Sequence, residues 1–253
     1  MRLHVHSYGD PTGPALVCVH GVTGHGERFR RLAEERLPGF NVIAVDLRGH
    51  GRSGYEPPWS LETQVADLLE TVEGRASWLG FSLGGRIVAE LAHRHPDRVE
   101  RLILLDPALQ LPPEQALEAA EGECPAETFA DADEAIGARY DSGSVISTPR
   151  EFLEEEMRQH LVDAGHGRLT FRYSRAAAIG AWGEMARPAA EVADVRTLLV
   201  LGSESYVPNE TQPARYEGAL GDRLRFVRVR SGHSVLWDAF EETADAIASF
   251  LGA

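Results

Sequence analysis

Ser77-Trp-Leu-Gly-Phe-Ser-Leu-Gly-Gly85 decides the fold, because it combines the end of a strand, a tight turn and the start of a helix. The apolar run up to Gly80 is typical of a buried strand, and the pattern over Leu83–His93 predicts a helix. A chain that turns directly from strand to helix forces the middle residue, Ser82, into a strained backbone conformation. Larger side chains at Gly80 and Gly84 would collide in such a turn. The pattern therefore predicts a serine hydroxyl held above a sheet, over the amides that begin a helix.

Strand and helix patterns alternate on both sides of this turn. Such alternation is typical of βαβ units, so we expect an α/β fold with a mostly parallel sheet flanked by helices. The predicted strands are Ala15–His20, Asn41–Asp46, Arg101–Asp106, Thr197–Leu201 and Leu224–Val229, and the predicted helices are Glu27–Leu37, Leu61–Val72 and Val235–Leu251.

The alternation stops after Pro107 and resumes at Thr197. The segment between is rich in Ala and Glu and contains several short helical patterns. Its part from Glu114 to Glu134 contains eight acidic residues and no basic residue. The sequence thus predicts an α/β core, residues 1–106 and 196–253, interrupted by a helical insertion, residues 107–195.

Composition limits the classes of function. The 253 residues are 43% hydrophobic and 25% charged, which is typical of a globular protein with a substantial core. With 25 basic and 39 acidic residues, the net charge of −14 disfavours nucleic acid as a partner. Neither a signal peptide nor a membrane-spanning run is visible, so we expect a cytoplasmic protein with a small-molecule substrate. No Cys/His spacing predicts a metal site, and the oligomeric state stays open.

Four segments carry a family resemblance. They are His20-Gly-Val-Thr-Gly24, Asp46-Leu-Arg-Gly-His-Gly-Arg-Ser53, Gly80–Gly84, and Gly232-His233 with Val235-Leu-Trp-Asp238. In this order they resemble the α/β-hydrolase superfamily over nearly the whole chain, with most similarity to small bacterial esterases and to cofactor-free haloperoxidases and C–C hydrolases. The resemblance implies that Gly80–Gly84 is the nucleophile elbow. It also implies that the insertion, which follows the family's strand six, is a helical cap over the pocket.

The same resemblance implies the roles of the site residues. Ser82 would be the nucleophile, and a carboxylate would orient the histidine that accepts its proton. Among ten histidines, His233 lies between the last strand and the last helix, where the order Ser, acid, His places the base. The backbone amides of Val22 and Leu83 would form the oxyanion hole.

The identity of the acid is ambiguous. The family usually carries its acid in a Gly-x-x-Asp turn, but here Gly202-Ser-Glu-Ser-Tyr has Ser205 where Asp is expected. Asp106, at the end of the preceding family strand, is the favoured alternative, since some relatives supply the acid from there. Glu204 is one residue early but longer, and it is the second candidate. A chain in which neither serves is the third alternative.

The insertion and the segment after the second predicted strand offer candidates for a pocket and for a cofactor site. Aromatic and apolar residues of the insertion, Trp182, Phe129, Met157, Phe171 and Tyr173, are candidates for an apolar acyl pocket, although packing within the cap explains each equally well. Gly49–Gly54 matches the dinucleotide fingerprint G-x-G-x-x-G. That fingerprint should open a helix, and Tyr55–Trp59 would break one, so we expect no cofactor.

The leading hypothesis is a serine hydrolase that cleaves a small neutral carboxylic ester or lactone through an acyl-enzyme on Ser82. C–C bond hydrolysis of a diketone and cofactor-free perhydrolysis are alternatives on the same residues. A non-catalytic ligand-binding protein with this fold is the alternative from another class, and the altered turn at Ser205 favours it. The acidic insertion argues weakly against a strongly anionic substrate.

Overall fold

The strands form one mixed sheet and one separate hairpin in a computed structural model that describes residues 1–253. The nine strands are β1 (Val5–Gly9), β2 (Ala15–Val19), β3 (Asn41–Val45), β4 (Ala76–Phe81), β5 (Val99–Leu105), β6 (Leu161–Gly165), β7 (Arg168–Phe171), β8 (Thr197–Gly202) and β9 (Leu224–Val229). Seven of them form the sheet, in the order β1-β3-β2-β4-β5-β8-β9. Only β1 runs antiparallel to its neighbour, so the predicted mostly parallel sheet is confirmed.

Ten α-helices accompany the strands. They are α1 (Arg30–Arg36), α2 (Leu61–Thr71), α3 (Leu83–Arg94), α4 (Pro113–Gly122), α5 (Ala132–Asp141), α6 (Arg150–His160), α7 (Arg175–Met185), α8 (Gln212–Leu220), α9 (Val235–Asp238) and α10 (Phe240–Leu251). None of these helices is both long enough and apolar enough to cross a membrane.

Helices cover both faces of the sheet, which explains the continuous apolar runs of its strands. In β2, Val17 and Val19 pack in the same cluster as α2 and α3. The alternate residues, Leu16 and Cys18, pack with α1 and α10 on the opposite face. All four side chains are fully buried.

Two predicted helices are shorter than expected. A 3₁₀ turn, Gly26–Phe29, precedes α1. At the other end of the chain, Ala239 leaves the helical region, with φ −132° and ψ 60°, and separates α9 from α10. Just before this break, the Asp238 carboxylate accepts hydrogen bonds from the backbone amides of Gly232 and Ile146. The break thus accompanies a contact between the loop after β9 and the insertion.

The insertion is expected after strand six of the family numbering. In this chain it follows β5, because one strand fewer precedes it. It is also not purely helical, since the hairpin of β6 and β7 lies between α6 and α7. Residues 161–170 are half-buried or exposed, and only Phe171 at the end of the hairpin is buried. The division into core and cap domains stays a prediction.

The junction of β4 and α3 explains both of its predicted glycines. A Cβ at Gly84 would lie 2.1 Å from the Val19 carbonyl oxygen, and one at Gly80 would lie 2.3 Å from the Gly84 carbonyl oxygen. Both clashes are with backbone, which cannot rotate away. The first turn of α3 is therefore pressed against the ends of β2 and β4.

Gly84→Ala should lower the free energy of unfolding by about 1–3 kcal/mol, because the helix must move to relieve the overlap. The matched control is Gly218→Ala in α8, where an added Cβ meets no atom within 4 Å. That change should raise the free energy of unfolding by about 0.5–1 kcal/mol, as for an ordinary helical glycine. Urea denaturation of both variants measures the two effects. Equal effects of the two substitutions would contradict the close packing at Gly84.

Candidate active site

The parallel strands bring the predicted site residues to one edge of the sheet. Ser82 follows β4, Asp106 follows β5, and His233 lies in the loop after β9. Ligand sites of open α/β sheets form outside the carboxyl ends of the strands, where these loops meet. Residues that are more than a hundred positions apart thus become neighbours.

Three of these side chains form one line of hydrogen bonds. The Ser82 Oγ lies 2.8 Å from His233 Nε2, and His233 Nδ1 lies 2.6 Å from Asp106 Oδ2. Asp106 is fully buried, and His233 is 4% exposed. A carboxylate at Nδ1 favours the tautomer with a proton there, which leaves Nε2 free to accept a proton from the serine.

Backbone geometry holds the first and last members of this line. Ser82 has φ 54° and ψ −118°, and it immediately precedes the first residue of α3. Asp106 also has a positive φ, 39°, which is uncommon for a residue with a side chain. Strain of this kind persists only where the surroundings impose it.

The Asp106 carboxylate accepts two hydrogen bonds besides the one from His233. The Ser205 hydroxyl donates to Oδ2 at 2.5 Å, and the Gly202 amide donates to Oδ1 at 3.2 Å. Ser205 is the residue at which the sequence departs from the family pattern. It does not replace the acid but binds the acid of the neighbouring strand.

Glu204, the second candidate for the acid, lies elsewhere. Its side chain is 52% exposed, and its carboxylate lies 3.5 Å from Arg230 at the surface. The structure therefore brings Asp106, and not Glu204, to His233.

Two backbone amides near Ser82 are free. Neither the Val22 nor the Leu83 amide donates a hydrogen bond to another group of the chain. Leu83 is the first residue of α3, so its amide has no partner within the helix. Val22 lies in the loop after β2 and lines the same cavity as Ser82.

Two motif histidines hold the Val22 loop in place. The Leu47 amide donates to His20 Nε2 at 2.9 Å, so the proton on Nδ1 is donated to the Gly21 carbonyl at 2.7 Å. His50 contacts the Val22 carbonyl through Nε2. Burial, followed by the neighbouring His50, lowers the pKa of His20 to about 3, so this ring is neutral. Each of the two rings thus connects two backbone segments through its hydrogen bonds.

Two connected cavities open onto the site. The inner cavity, about 70 Å³, is lined by Ser82 and His233 from the core and by Arg139, Ser144 and Trp182 from the insertion. The outer cavity, about 460 Å³, shares Thr23, Arg139, Ser144, Trp182 and Tyr206 with it. The insertion thus contributes part of the lining around the serine and most of the lining of the outer cavity.

Three of the predicted pocket residues lie at these cavities. Trp182 lines both, and Phe171 and Tyr173 line the outer one. Phe129 and Met157 line neither, and both are 3% exposed in the hydrophobic core. Phe129 packs edge-on against Phe171, with ring centroids 5.0 Å apart, and so supports the wall from behind. The expectation that these two residues face the substrate is corrected, because their apolar side chains are buried in the interior.

Three lining residues were missed in the sequence. Arg28 and Arg139 line the inner cavity, and the Tyr206 ring lies 5.0 Å from the His233 ring. No local pattern singles out either arginine, because their partners are distant in sequence. Tyr206 could have been found, since it directly follows the altered turn at Ser205.

One group of side chains has the composition of a metal site. Ligand atoms of His4, His6 and Asp46 lie within 4.8 Å of one another. However, Asp46 already accepts hydrogen bonds from His6 and from the amides of Gly26 and Arg52. Burial alone would raise the pKa of Asp46, but these hydrogen bonds hold it well below its usual range. The group is explained as the hydrogen-bonded anchor of the turn after β3.

The chain is similar to known hydrolases. The family model described as alpha/beta hydrolase fold matches residues 14–133. Lipase LipV of Mycobacterium tuberculosis is 34% identical over 259 residues, which cover 99% of this chain and 98% of that protein. The pimeloyl-[acyl-carrier protein] methyl ester esterase of Methylococcus capsulatus is 39% identical over 105 residues, 42% of this chain and 41% of that protein.

A solved structure agrees over the whole chain. The crystal structure of E-2-(acetamidomethylene)succinate hydrolase superimposes with a TM-score of 0.84 and 25% identity, covering 99% of this chain and 95% of that one. A relative more than 30% identical along almost its full length shows the family. The protein is a hydrolase that belongs to the α/β-hydrolase family.

Proposed function

We propose that this hydrolase cleaves a small carboxylic ester or lactone through an acyl-enzyme on Ser82. The observation that carries the proposal is the line Ser82–His233–Asp106, with contacts of 2.8 and 2.6 Å. This is the geometry that nucleophilic acyl transfer requires, a serine within reach of a base that a third group orients. The relatives named lipase and methyl ester esterase support esters as the substrate class.

In the first half of the reaction, Ser82 Oγ attacks the ester carbonyl carbon while His233 Nε2 takes the hydroxyl proton. The resulting oxyanion is stabilised by the free amides of Val22 and Leu83, and each such donor is worth about 3–4 kcal/mol in related sites. The bond to the alcohol oxygen then breaks, and His233 returns the proton to the leaving alcohol. The products of this half are the acyl-enzyme and the alcohol.

In the second half, a water molecule gives its proton to His233 Nε2 and attacks the acyl carbon. Collapse of the second oxyanion breaks the bond to Ser82 Oγ, which recovers the proton from His233. The carboxylic acid leaves, and the sum is ester plus water to acid plus alcohol. Asp106 stays ionised throughout and stabilises the imidazolium of each half-reaction.

The insertion is proposed to act as a cap. Its residues Arg139, Ser144 and Trp182 line the inner cavity beside Ser82, which supports this role. Closing a site away from water strengthens the electrostatic contacts inside it. A cap of this kind would select the substrate through the outer cavity. The cytoplasmic location expected from the sequence stays a prediction.

Replacing the nucleophile should abolish the activity. We expect the wild-type protein to hydrolyse a short-chain p-nitrophenyl ester and to be labelled by a fluorophosphonate probe, while Ser82→Ala shows neither. Ser249→Ala, on an exposed position of α10, is the matched control and should behave as wild type. Labelling is read by gel fluorescence and turnover by absorbance. A Ser82→Ala variant that retained turnover would refute the acyl-enzyme proposal.

Replacing each candidate acid by its isosteric amide distinguishes the two. Asp106→Asn should lower kcat by roughly 10⁴-fold, because the imidazole loses the partner that sets its tautomer and stabilises its cation. Glu204→Gln should change kcat by less than about 2-fold, since an exposed surface pair contributes little. Steady-state kinetics on the same ester measures both, and circular dichroism checks that each variant is folded. A large loss in Glu204→Gln with a small one in Asp106→Asn would reverse the assignment.

A further inference from the structure

Arg28 places a cation at the inner cavity. Its side chain is only 11% exposed, and its guanidinium carbon lies 3.8 Å above the Trp237 ring and 5.6 Å from the Phe81 ring. Arg28 lines the inner cavity together with Ser82 and His233. Stacking on the aromatic rings holds the guanidinium plane without using its N–H groups.

The guanidinium of Arg28 makes no hydrogen bond within the protein. Its single ion-pair partner is Glu156, whose Oε1 lies 3.6 Å from Arg28 Nε, beyond hydrogen-bond distance. No other side chain or carbonyl of the protein accepts from it. A buried arginine normally has its donors satisfied, because an unpaired buried charge is costly. The donors of Arg28 are therefore available to a ligand in the cavity.

Arg28 shares its ion-pair partner Glu156 with a second arginine. Glu156 is 1% exposed and also pairs with Arg139, whose Nε lies 3.3 Å from Oε2. Arg139 additionally donates through its two terminal nitrogens to the Thr23 hydroxyl at 3.0 Å and to Glu156 Oε1 at 3.3 Å. Two guanidinium groups thus share one carboxylate as their ion-pair partner.

Arg28 remains cationic despite its burial. Desolvation lowers the pKa of this guanidinium to about 10, even though Glu156 opposes the shift. The group is therefore protonated at neutral pH. A protonated, desolvated arginine is best stabilised by an anion that can take two parallel N–H bonds, and a carboxylate has that geometry.

The negative groups of the site lie farther out. Glu123 and Glu127 line the outer cavity and not the inner one. Glu123 is occupied there, accepting hydrogen bonds from the Tyr173 hydroxyl at 2.9 Å and the Trp182 indole at 3.4 Å. None of the acidic residues in the stretch that suggested a neutral substrate, Glu114–Glu134, lines the inner cavity.

We propose that the substrate is a monoester that also bears a free carboxylate, and that Arg28 binds this carboxylate while the ester carbonyl lies at Ser82. This inference rests on the proposed ester hydrolysis and replaces the expectation of a neutral substrate. Arg28 binds the carboxylate of the substrate, and Arg139 and Glu156 form the neighbouring ion pair. Arg28 and Ser82 both line the inner cavity of about 70 Å³, so one substrate in this cavity can contact both.

Two esters that differ only at the acyl terminus test the proposal on the wild-type protein. The first is p-nitrophenyl hemiglutarate, which ends in a carboxylate, and the second is p-nitrophenyl 5-methylhexanoate, in which an isopropyl group replaces it. We expect kcat/KM to be at least about 10-fold higher for the hemiglutarate, as for a hydrogen bond to a charged group. Equal rates, or preference for the neutral ester, would overturn the inference.

The ratio of kcat/KM values for the two esters also tests whether Arg28 is the residue that binds the carboxylate. In Arg28→Met the ratio of kcat/KM for the hemiglutarate to kcat/KM for the neutral ester should fall about 10-fold or more. A general loss of activity lowers both values equally and leaves this ratio unchanged. Arg52→Met is the matched control at a side chain that is 56% exposed and outside both cavities, and its ratio should equal that of wild type. An unchanged ratio in Arg28→Met would overturn the assignment of Arg28.

A binding measurement separates this inference from the proposed function. Glutarate should inhibit wild-type hydrolysis of the neutral ester competitively, and glutaramide, its neutral analogue, should inhibit at least about 10-fold more weakly. This arm needs no variant, so it stands even if Arg28→Met fails to fold. If neither ester is turned over in a Ser82-dependent way, the proposed function fails. Calorimetric binding of glutarate but not glutaramide would then still support the anion site, and equal binding of both would refute it.

Discussion

The close approach of the first turn of α3 to the ends of β2 and β4 is the constraint on which the site depends. Gly80 and Gly84 permit it, because a Cβ at either position would overlap a backbone carbonyl. The approach fixes the backbone of Ser82, with its φ of 54°, between strand and helix. It also sets the free Leu83 amide beside the hydroxyl, so that one packing contact positions both a nucleophile and an anion-binding donor. The loops after the other strands then need only deliver His233 and Asp106 to the same edge.

Electrostatics divides the space around the serine into two regions. The inner cavity is lined by two arginines and by no acidic residue, while Glu156 pairs with those arginines and Asp106 lies behind His233. The outer cavity is lined by two glutamates, the exposed Glu127 and the half-buried Glu123, which accepts hydrogen bonds from Tyr173 and Trp182. Charges in a desolvated setting interact strongly and are only weakly screened by salt. The net charge of −14 for the whole chain therefore says little about what the inner cavity accepts.

The fold could be read from the sequence because its signals are local. The turn around Ser82, the apolar strands and the order of the motifs each occupy a few consecutive residues. Asp106 could be named because it ends a strand next to the expected one. Phe129 could not be assigned, since an aromatic residue in a helical or loop segment does not reveal which side it faces. Arg28 was missed for a related reason: its partners Glu156 and Trp237 come from far along the chain, and only the folded structure brings them together.

Ser205 occupies the family's usual position for the acid, yet it remains part of the same network through its hydrogen bond to Asp106. A carboxylate at either of these neighbouring positions, one at the end of β5 and one after β8, could therefore serve as the acid. During evolution, two single substitutions could transfer the acid from one position to the other. The intermediate would hold two carboxylates within hydrogen-bond distance, which must share a proton. Such an intermediate would keep a partner for the imidazole throughout, so the location of the acid can drift among relatives while the serine and histidine stay in place.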